Sequence, residues 1–346
     1  SAVIVERTPD QLAGPTLVER EELNATISYT DKLKEAQEAT FRLSIDTLLD
    51  DTKEAMRDLS ARPLEVWVYR DSQMVFAGPI VGGEVRNRTI TLSCRGLEFY
   101  TAYMLLDKDT TWASVDLATI TKDVIDDWQD RDYGDYGIDT VSVGTIGTTR
   151  SLTWPGVYEP IDVYSFLREQ AETDFDWWVD SSTRELNVSA SRGSDLTDSV
   201  FIERGITEPE MRIAVSPGAV ASHVYLIGTG PNLSNPLTST ATTTALRNSF
   251  GLSGMARVAD LVENQVHLDS LSAEVASTRA KRLFLPGPNV LSIDAGSVDA
   301  FGIGDTVTYT LDVGLGQITG AFRITSRTVN VGNRGQETMT MQVDDA

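Results

Sequence analysis

Apolar and polar residues alternate along both ends of the chain. Near the N-terminus, apolar side chains recur at every second position from Leu23 to Tyr29, the period of a half-buried strand. Two hairpins follow, with turns predicted at Asp71–Gln73 and near Asn87-Arg88. The first return strand is expected to end at Gly78-Pro79, because proline cannot donate to a strand ladder. Residues 1–98 are therefore predicted to form one small antiparallel sheet or barrel.

The C-terminal end has the same character. Three segments alternate in this way: 304–313, 321–331 and 337–343. The turn Gly332–Gly335 favours a hairpin between the last two segments, since Asn and Gly tolerate positive φ. Each end also carries a glycine before its long hairpin, Gly78 in one and Gly320 in the other. This order indicates a weak internal repeat, although two unrelated hairpin modules would also look partly alike.

The middle of the chain shows helical spacing instead. Apolar residues recur three or four positions apart in three segments: 115–129, 160–172 and about 269–285. Pro160 suits the first turn of the second helix. A strand pair is predicted in 175–191, and the stretch 229–256, rich in Thr, Ser, Asn and Gly, is predicted to be a long surface loop. The whole pattern predicts an α+β, mainly β fold.

The charge balance is strongly acidic. The 346 residues contain 51 acidic and 29 basic side chains, a formal net charge of −22. Such a chain is not expected to bind nucleic acid specifically, because phosphate binding needs clustered lysine and arginine. The acidity serves solubility or a surface that repels DNA, and both interpretations stay open. No run of 18 apolar residues occurs, so no membrane span is expected, and the first residues lack the features of a signal peptide.

No catalytic constellation emerges from the sequence. His223 and His267 have no second histidine or cysteine at ligand spacing, which disfavours a zinc site. The single cysteine, Cys94, lies in an alternating apolar stretch and is predicted to be a buried core thiol. No nucleophile elbow or Walker A pattern occurs, and the glycines of 314–320 are predicted to form a turn. We therefore expect no catalytic residue, no cofactor-binding residue and no metal ligand, and the protein is predicted not to be an enzyme.

One acidic segment is the best candidate for a metal site. It contains six aspartates: Asp126, Asp127, Asp130, Asp132, Asp135 and Asp139. Its start is similar to a calcium loop, but Gly134 and Asp135 stand in reversed order, and Val141 occupies the place of the bidentate glutamate. A solvated acidic loop is the favoured interpretation, and whether Asp126–Asp139 binds calcium is left open.

The segment 174–180 is the strongest candidate for enzymatic chemistry, since glycosidases use paired carboxylates beside aromatic platforms. Strand alternation divides its side chains between two faces. The predicted core face holds Phe175, Trp177 and Val179, and the other face holds Asp176, Trp178 and Asp180. An exposed aromatic residue between two acids suits a subunit contact at least as well as catalysis.

The residues carry a family resemblance. The segment 64–106 is similar to the first module of minor tail proteins from siphophages of actinobacteria. Their order is strand, Tyr-Arg-Asp, turn, Val-Phe-x-Gly-Pro-Ile, hairpin and Cys-Arg-Gly/Asp-Leu. The similarity continues in order through five further segments: 115–129, 175–180, 222–230, 276–288 and 301–311. Each motif alone occurs in many unrelated proteins, and the resemblance to this tail (baseplate) hub family depends on the order and spacing of all of them together.

The resemblance implies a structural tail-tip hub subunit of a long-tailed bacteriophage, located in the virion after synthesis in the host bacterial cytoplasm. Such hubs form homotrimers in which each subunit contributes two tube-like β modules, so that a three-fold tip closes a six-fold tail tube. The implied partners are tail tube or distal tail subunits and central fibre or tip proteins. DNA would pass through an acidic channel without specific binding.

With this resemblance, the expected fold has two tube-like antiparallel β-barrel modules at the chain ends flanking a middle α/β region. The predicted domains are an N-terminal tube-like β module (1–98), an inserted α+β module (99–215), a strand, long polar loop and helix of the middle region (216–285), and a C-terminal tube-like β module (286–346). The alternative function is a host-surface carbohydrate-binding tail protein, with Trp154, Trp177 or Trp178 stacking on sugars. A glycosidase is the third hypothesis for the function.

Overall fold

The computed structural model describes residues 1–8, 15–57, 64–203, 213–215, 221–228, 236–259, 265–280, 284–286, 289–292, 301–312, 317–332 and 337–345. Strands outweigh helices, and the predicted mainly β class is confirmed. The described residues contain five α-helices: α1 (Asp50–Arg57), α2 (Leu117–Gln129), α3 (Val163–Asp174), α4 (Thr244–Phe250) and α5 (Gln265–Ala280). None of these helices is both long and apolar enough to cross a membrane.

The strands are numbered in chain order. The first part of the chain contains β1 (Ala2–Thr8), β2 (Thr16–Leu23), β3 (Thr26–Lys32), β4 (Glu38–Ser44), β5 (Leu64–Arg70), β6 (Gln73–Arg86) and β7 (Thr89–Arg95). The middle contains β8 (Leu105–Leu106), β9 (Asp109–Asp116), β10 (Thr149–Pro155), β11 (Ile161–Asp162), β12 (Asp176–Val179), β13 (Leu186–Ser189), β14 (Phe201–Glu203), β15 (Ile213–Val215), β16 (His223–Gly228), β17 (Leu237–Thr242) and β18 (Gly254–Ala259). The last part contains β19 (Phe284–Pro286), β20 (Asn289–Ser292), β21 (Thr306–Asp312), β22 (Gln317–Val331) and β23 (Glu337–Asp345).

Strands from both ends of the chain, together with β14 from the middle, form one large mixed sheet. Its pairing order is β14-β21-β22-β3-β4-β7-β6-β5-β1-β2, and β23 pairs with both β22 and β20. The two ends meet where β3 and β22 run antiparallel, with Lys32 opposite Ser326 and Ile27 opposite Val331. Apolar residues from both ends share one core, which includes Ile4, Phe41, Phe76, Leu92, Val307, Tyr309, Ile324, Met339 and Met341. Within the described residues three strands of this sheet, β2, β14 and β20, have only one partner each, and the sheet closes into no barrel.

The two halves of this sheet repeat one strand order. The run β5-β6-β7-β4 in the first half corresponds to β21-β22-β23-β20 in the second. In each run the central strand is long and bulged in its pairing with the third strand. The bulge falls between Ile80 and Gly82 in β6 and between Ile324 and Ser326 in β22, in both cases after the eighth residue of the strand. The predicted internal repeat therefore appears as matching strand order and matching bulge position.

The strand expected to end at Gly78-Pro79 continues to Arg86, so that prediction was wrong. Pro79 lies opposite Glu65, at the end of the pairing with β5, and β6 changes its partner to β7 from Ile80 onwards. A proline is tolerated at such a change of partner, because the bulge interrupts the ladder there.

The segment between β7 and β13 builds a second core. It contains Trp112, Leu117, Ile120, Val124, Trp154, Phe166, Leu167, Phe175 and Trp177. The predicted helix 115–129 is confirmed as α2, which begins after Asp116, whose carboxylate accepts a hydrogen bond from the backbone N–H of Ala118. The helix predicted over 160–172 begins later than expected, because Ile161–Asp162 first pairs with β8. Asp162 caps α3, and Pro160 lies outside the helix.

A third core lies under the three-stranded sheet β17-β16-β18, against α5. The stretch 229–256, predicted as a long surface loop, contains β17, α4 and the start of β18 among its described residues. In β17 the small residues Ser239 and Ala241 point inward between exposed threonines, so the strand period is present but its apolar contrast is weak. The third predicted helix is α5, which begins at Gln265 instead of about residue 269.

The approach of β6 to the end of β7 generates a stability test. A Cβ atom on Gly78 would lie 1.8 Å from the carbonyl oxygen of Arg95, whereas one on Gly82 would meet no atom within 4 Å. We expect Gly78→Ala to lower the free energy of unfolding by about 1–3 kcal/mol, because the strands must move apart. Gly82→Ala, in the same strand, is the matched control and should change the free energy of unfolding little. Urea denaturation measures both, and equal midpoints for Gly78→Ala and the wild type would contradict this close approach.

Candidate functional site

A buried carboxylate attaches the middle of the chain to the large sheet. Asp176 opens β12 and is 1 % exposed. It accepts hydrogen bonds from the guanidinium of Arg323 in β22 and, at 2.6 Å, from the backbone N–H of Arg192. The ammonium of Lys34, in the turn after β3, lies 3.6 Å from its other oxygen. One carboxylate therefore links the N-terminal, middle and C-terminal parts of the chain.

A second buried carboxylate extends this contact. Asp31 on β3 has one oxygen 3.6 Å from the guanidinium of Arg192 and 3.8 Å from that of Arg327. The Arg192 guanidinium also lies over the ring of Trp178, 4.7 Å from its centroid, at a cation–π distance. We refer to six residues as the charged junction: Asp31, Lys34, Asp176, Arg192, Arg323 and Arg327. In it, two buried carboxylates are neutralised by four cations from three parts of the chain.

Glu98 lies within electrostatic reach of Asp31 and Arg192 but forms no ion pair of its own in the described part of the chain. One of its oxygens accepts a 3.3 Å hydrogen bond from the backbone N–H of Val179, and the other has no hydrogen-bond partner among the described residues. Complete burial raises the pKa of Glu98 to about 7, and the nearby Asp31 carboxylate adds to the rise. Glu98 therefore titrates near neutral pH inside the protein.

A second attachment joins β5 to the middle of the chain. The fully buried carboxylate of Glu65 accepts hydrogen bonds from Arg184 at 3.0 Å, from the Tyr100 hydroxyl at 2.6 Å and from the Trp67 indole at 3.0 Å. Burial by itself would raise the pKa of Glu65, but the Arg184 charge and these donors hold it below its ordinary value. Arg7 from β1 lies over the Tyr100 ring, 5.2 Å from its centroid. Ionised Glu65 and Arg184 thus form a satisfied buried pair.

The predicted glycosidase-like segment lies in the first of these attachments. The predicted core face is confirmed, with Phe175, Trp177 and Val179 all buried. The other face is not open as expected, because Asp176 is buried in the charged junction. Asp180 instead accepts hydrogen bonds from the backbone N–H groups of Ser182 and Thr183 and closes the turn between β12 and β13. The side chain of Asp174 lies outside the described residues. These carboxylates are used in structural contacts.

The three tryptophans proposed for sugar stacking do not form a platform. Trp154 and Trp177 are buried in the second core. Trp178 is half-buried, and the Arg192 guanidinium covers one side of its ring. A sugar ring needs an exposed aromatic face, so the carbohydrate-binding alternative loses the residues on which it depended.

The acidic segment after α2 is held by ion pairs and turns. Asp126 pairs with Lys122, and Asp127 pairs with Lys108 at 2.6 Å and with Arg131 at 2.9 Å. Two further carboxylates accept hydrogen bonds from backbone N–H groups: Asp135 from Gly137 and Asp139 from Val141. In the part of the chain that the structure describes, no group of three or more His, Cys, Asp and Glu side chains is placed to hold a metal ion.

The single cysteine and the two histidines lie apart. Cys94 is buried on β7, and burial raises the pKa of its thiol far above the ordinary range, so the prediction of a core thiol is confirmed. The Nδ1 atom of His223 in β16 lies 2.8 Å from the hydroxyl of Thr242 in β17. His267 is the third residue of α5, since this helix begins before the predicted start at about residue 269.

The sequence indicates that one carboxylate is buried in an ion pair, but it does not indicate which residue pairs with it. Glu65 interrupts an apolar run, Leu64 to Val68, and a carboxylate in such a run indicates a buried pair. Its partner Arg184 is 119 residues away, and Arg323 is 147 residues from Asp176. No local pattern connects residues so distant in the chain.

Comparison with solved structures finds proteins of similar fold. The chain is similar to the tail protein from Neisseria meningitidis MC58, with 16% sequence identity and a TM-score of 0.60 over 99% of this chain and 96% of that one. It is similar to the 43 kDa tail protein of prophage MuSo2 from Shewanella oneidensis, with 13% identity and a TM-score of 0.58 over 99% and 97%. It is also similar to the prophage tail protein gp18 from Listeria monocytogenes EGD-e, with 11% identity and a TM-score of 0.60 over 100% and 95%. No protein-family model and no curated protein matches the sequence. At these identities the likeness is one of fold, and it extends over nearly the whole of each chain.

The charged junction predicts a stability effect for Asp176. We expect Asp176→Ala to lower the free energy of unfolding by about 3–5 kcal/mol, because Arg323 and Lys34 lose a buried counter-charge. The double variant Asp176→Ala with Arg323→Met should recover part of that loss, since the unpaired arginine is removed. Urea unfolding of the wild type, both single variants and the double variant measures the coupling. Additive losses in the double variant would contradict the pair.

Glu98 predicts a pH dependence of stability. The pKa of Glu98 in the folded protein, about 7, lies above the 4.5 of a free glutamate. Its contribution to the free energy of unfolding is therefore fully present below about pH 4.5 and is lost as the pH rises to 7. In Glu98→Gln this loss does not occur, and at pH 8 the variant should be more stable than the wild type by roughly 3 kcal/mol. The difference should shrink towards pH 4.5, as followed by urea unfolding at several pH values.

The exposed Glu159 provides the matched control, because Glu159→Gln removes a carboxylate that is not buried. This variant should follow the wild-type pH profile. A Glu98→Gln profile parallel to the wild type at all pH values would show that Glu98 does not titrate between pH 4.5 and 7.

Proposed function

We propose that this protein is a structural, non-enzymatic subunit of a bacteriophage tail and acts as a hub at the tail tip. The observation that supports it best is the fold shared with three tail proteins, two of them from prophages, over 95% or more of their length. One fold can host many functions, so the use of the side chains also matters. The candidate catalytic carboxylates Asp176 and Asp180 serve ion pairs and a turn, which favours a structural role.

A trimeric ring is the assembly we infer for the hub. The repeated runs β5-β6-β7-β4 and β21-β22-β23-β20 would be the centres of two tube-like β modules, 1–98 and 286–346. Three copies then present six similar modules, so a three-fold hub can dock on a six-fold tail tube under closed cyclic symmetry. The second and third cores support two further modules, 99–215 and 216–285, which would carry central fibre or tip proteins.

The channel of this ring is proposed to repel DNA. The net charge is −22, and the carboxylates of the charged junction are neutralised by arginine and lysine. The excess negative charge therefore belongs to other, mostly exposed side chains. A lumen lined by such side chains would let phosphate backbones slide through without binding. The assignment to siphophages of actinobacteria depends on the sequence resemblance alone.

Electron microscopy with class averaging tests the hub proposal. Purified protein and tail tips containing it should show a three-fold ring with a central channel and a roughly six-fold inner wall. Labelled antibody against the chain should bind at the tip, with antibody against the tail tube protein as the control. Well-ordered tails that carry the chain elsewhere, or a tip that lacks three-fold symmetry around it, would overturn the proposal.

A further inference from the structure

The three-stranded sheet of the third core has one face that α5 does not cover. On the inner face, Val224 and Leu226 of β16 are fully buried, and Ser239 of β17 hydrogen-bonds Asp269 of α5 at 2.6 Å. Pairing register and alternation direct nine residues outward: His223, Tyr225, Ile227, Thr238, Thr240, Thr242, Gly254, Ala256 and Val258. We call these nine residues the open face.

The open face carries no formal charge, although charged residues make up 23% of the chain. Its apolar side chains are adjacent. Tyr225 lies between Thr240 and Ala256, while the next row has Ile227 between Thr238 and Val258. Tyr225 is 37% exposed and Val258 is 55% exposed. An uncharged patch centred on tyrosine and branched side chains has the composition of the core of a protein interface.

We propose that the open face packs against a second copy of this chain, the neighbouring subunit of the hub, and this inference rests on the proposed function. Copies that each carry a charge of −22 repel each other wherever acidic surfaces meet. A face without charge is where two copies approach without burying like charges. A basic partner would instead be attracted to the acidic surface outside this face. Charge therefore favours a second copy as the occupant.

The size of the open face defines its role in that contact. The sheet is six residues long and three strands wide, which corresponds to about 20 Å by 14 Å. This area is roughly a third of the 800 Å² that each partner buries in a standard interface. The open face is therefore the centre of a larger contact between subunits, and a charge placed in it is buried without a counter-ion.

Charge insertion tests the inference on the full-length protein. Tyr225→Glu and Val258→Glu should each raise the concentration at which the trimer half-dissociates by at least about tenfold. The matched controls are Thr111→Glu and Thr153→Glu on the exposed side of the β9-β10 ribbon, which should leave it unchanged. Mass photometry over a concentration series measures the trimer fraction, and circular dichroism checks the fold. A trimer that both open-face variants leave intact would overturn the inference while the hub proposal stands.

Photo-crosslinking in assembled tail tips identifies the occupant directly. Benzoylphenylalanine in place of Tyr225 should give a product of twice the mass of the chain. A product with a different tail protein, or the absence of any crosslinked product, would overturn the second copy as occupant. Tips that carry a single copy of the chain would overturn the hub proposal together with this inference.

Discussion

The buried carboxylate of Asp176 is the contact on which the arrangement of the modules depends. A carboxylate removed from water costs several kcal/mol unless charges and donors replace the solvent, so the Asp176 side chain is tolerated only when its partners are in place. Those partners come from the turn after β3, from the segment after β13 and from β22. Apolar contacts would allow many relative orientations of sheet and second core, whereas this requirement favours one of them.

A second attachment completes the constraint. Glu65 and Arg184 join β5 to the turn before β13, and Tyr100 and Trp67 satisfy the remaining lone pairs of the carboxylate. Two separate attachments restrict rotation as well as translation of the second core on the sheet. Glu98 lies at the same boundary without an ion pair of its own in the described part of the chain, and burial raises its pKa to about 7. The boundary is thus stable where its acids are paired and sensitive to pH where one acid is not.

Local features of the structure were predictable from the sequence, because they depend on neighbouring residues. Period and turn chemistry predicted the turn at Asn87-Arg88, helix α2, the burial of Cys94 and the strand β23. The end of β6 was misplaced at Pro79, because the sequence does not show that a strand changes partner. β17 was missed because threonine and serine hid its alternation. The ion pairs were missed because their partners are more than a hundred residues apart.

The continuity of the large sheet has a consequence for any assembly of this chain. β22 pairs with β21 along its first half and with β3 along its second, so hydrogen bonds join the two repeated units within one chain. Backbone hydrogen bonds therefore hold the two repeated units together within one chain, without a contribution from surface charge. If two copies of the chain pack against each other, each of them brings a formal net charge of −22 to the contact. Because like charges repel across an interface, the surfaces in contact are expected to carry few acidic side chains, while exposed surfaces elsewhere can stay acidic. The uncharged outer face of β16, β17 and β18, on a chain otherwise rich in carboxylates, is the kind of surface that such a contact requires.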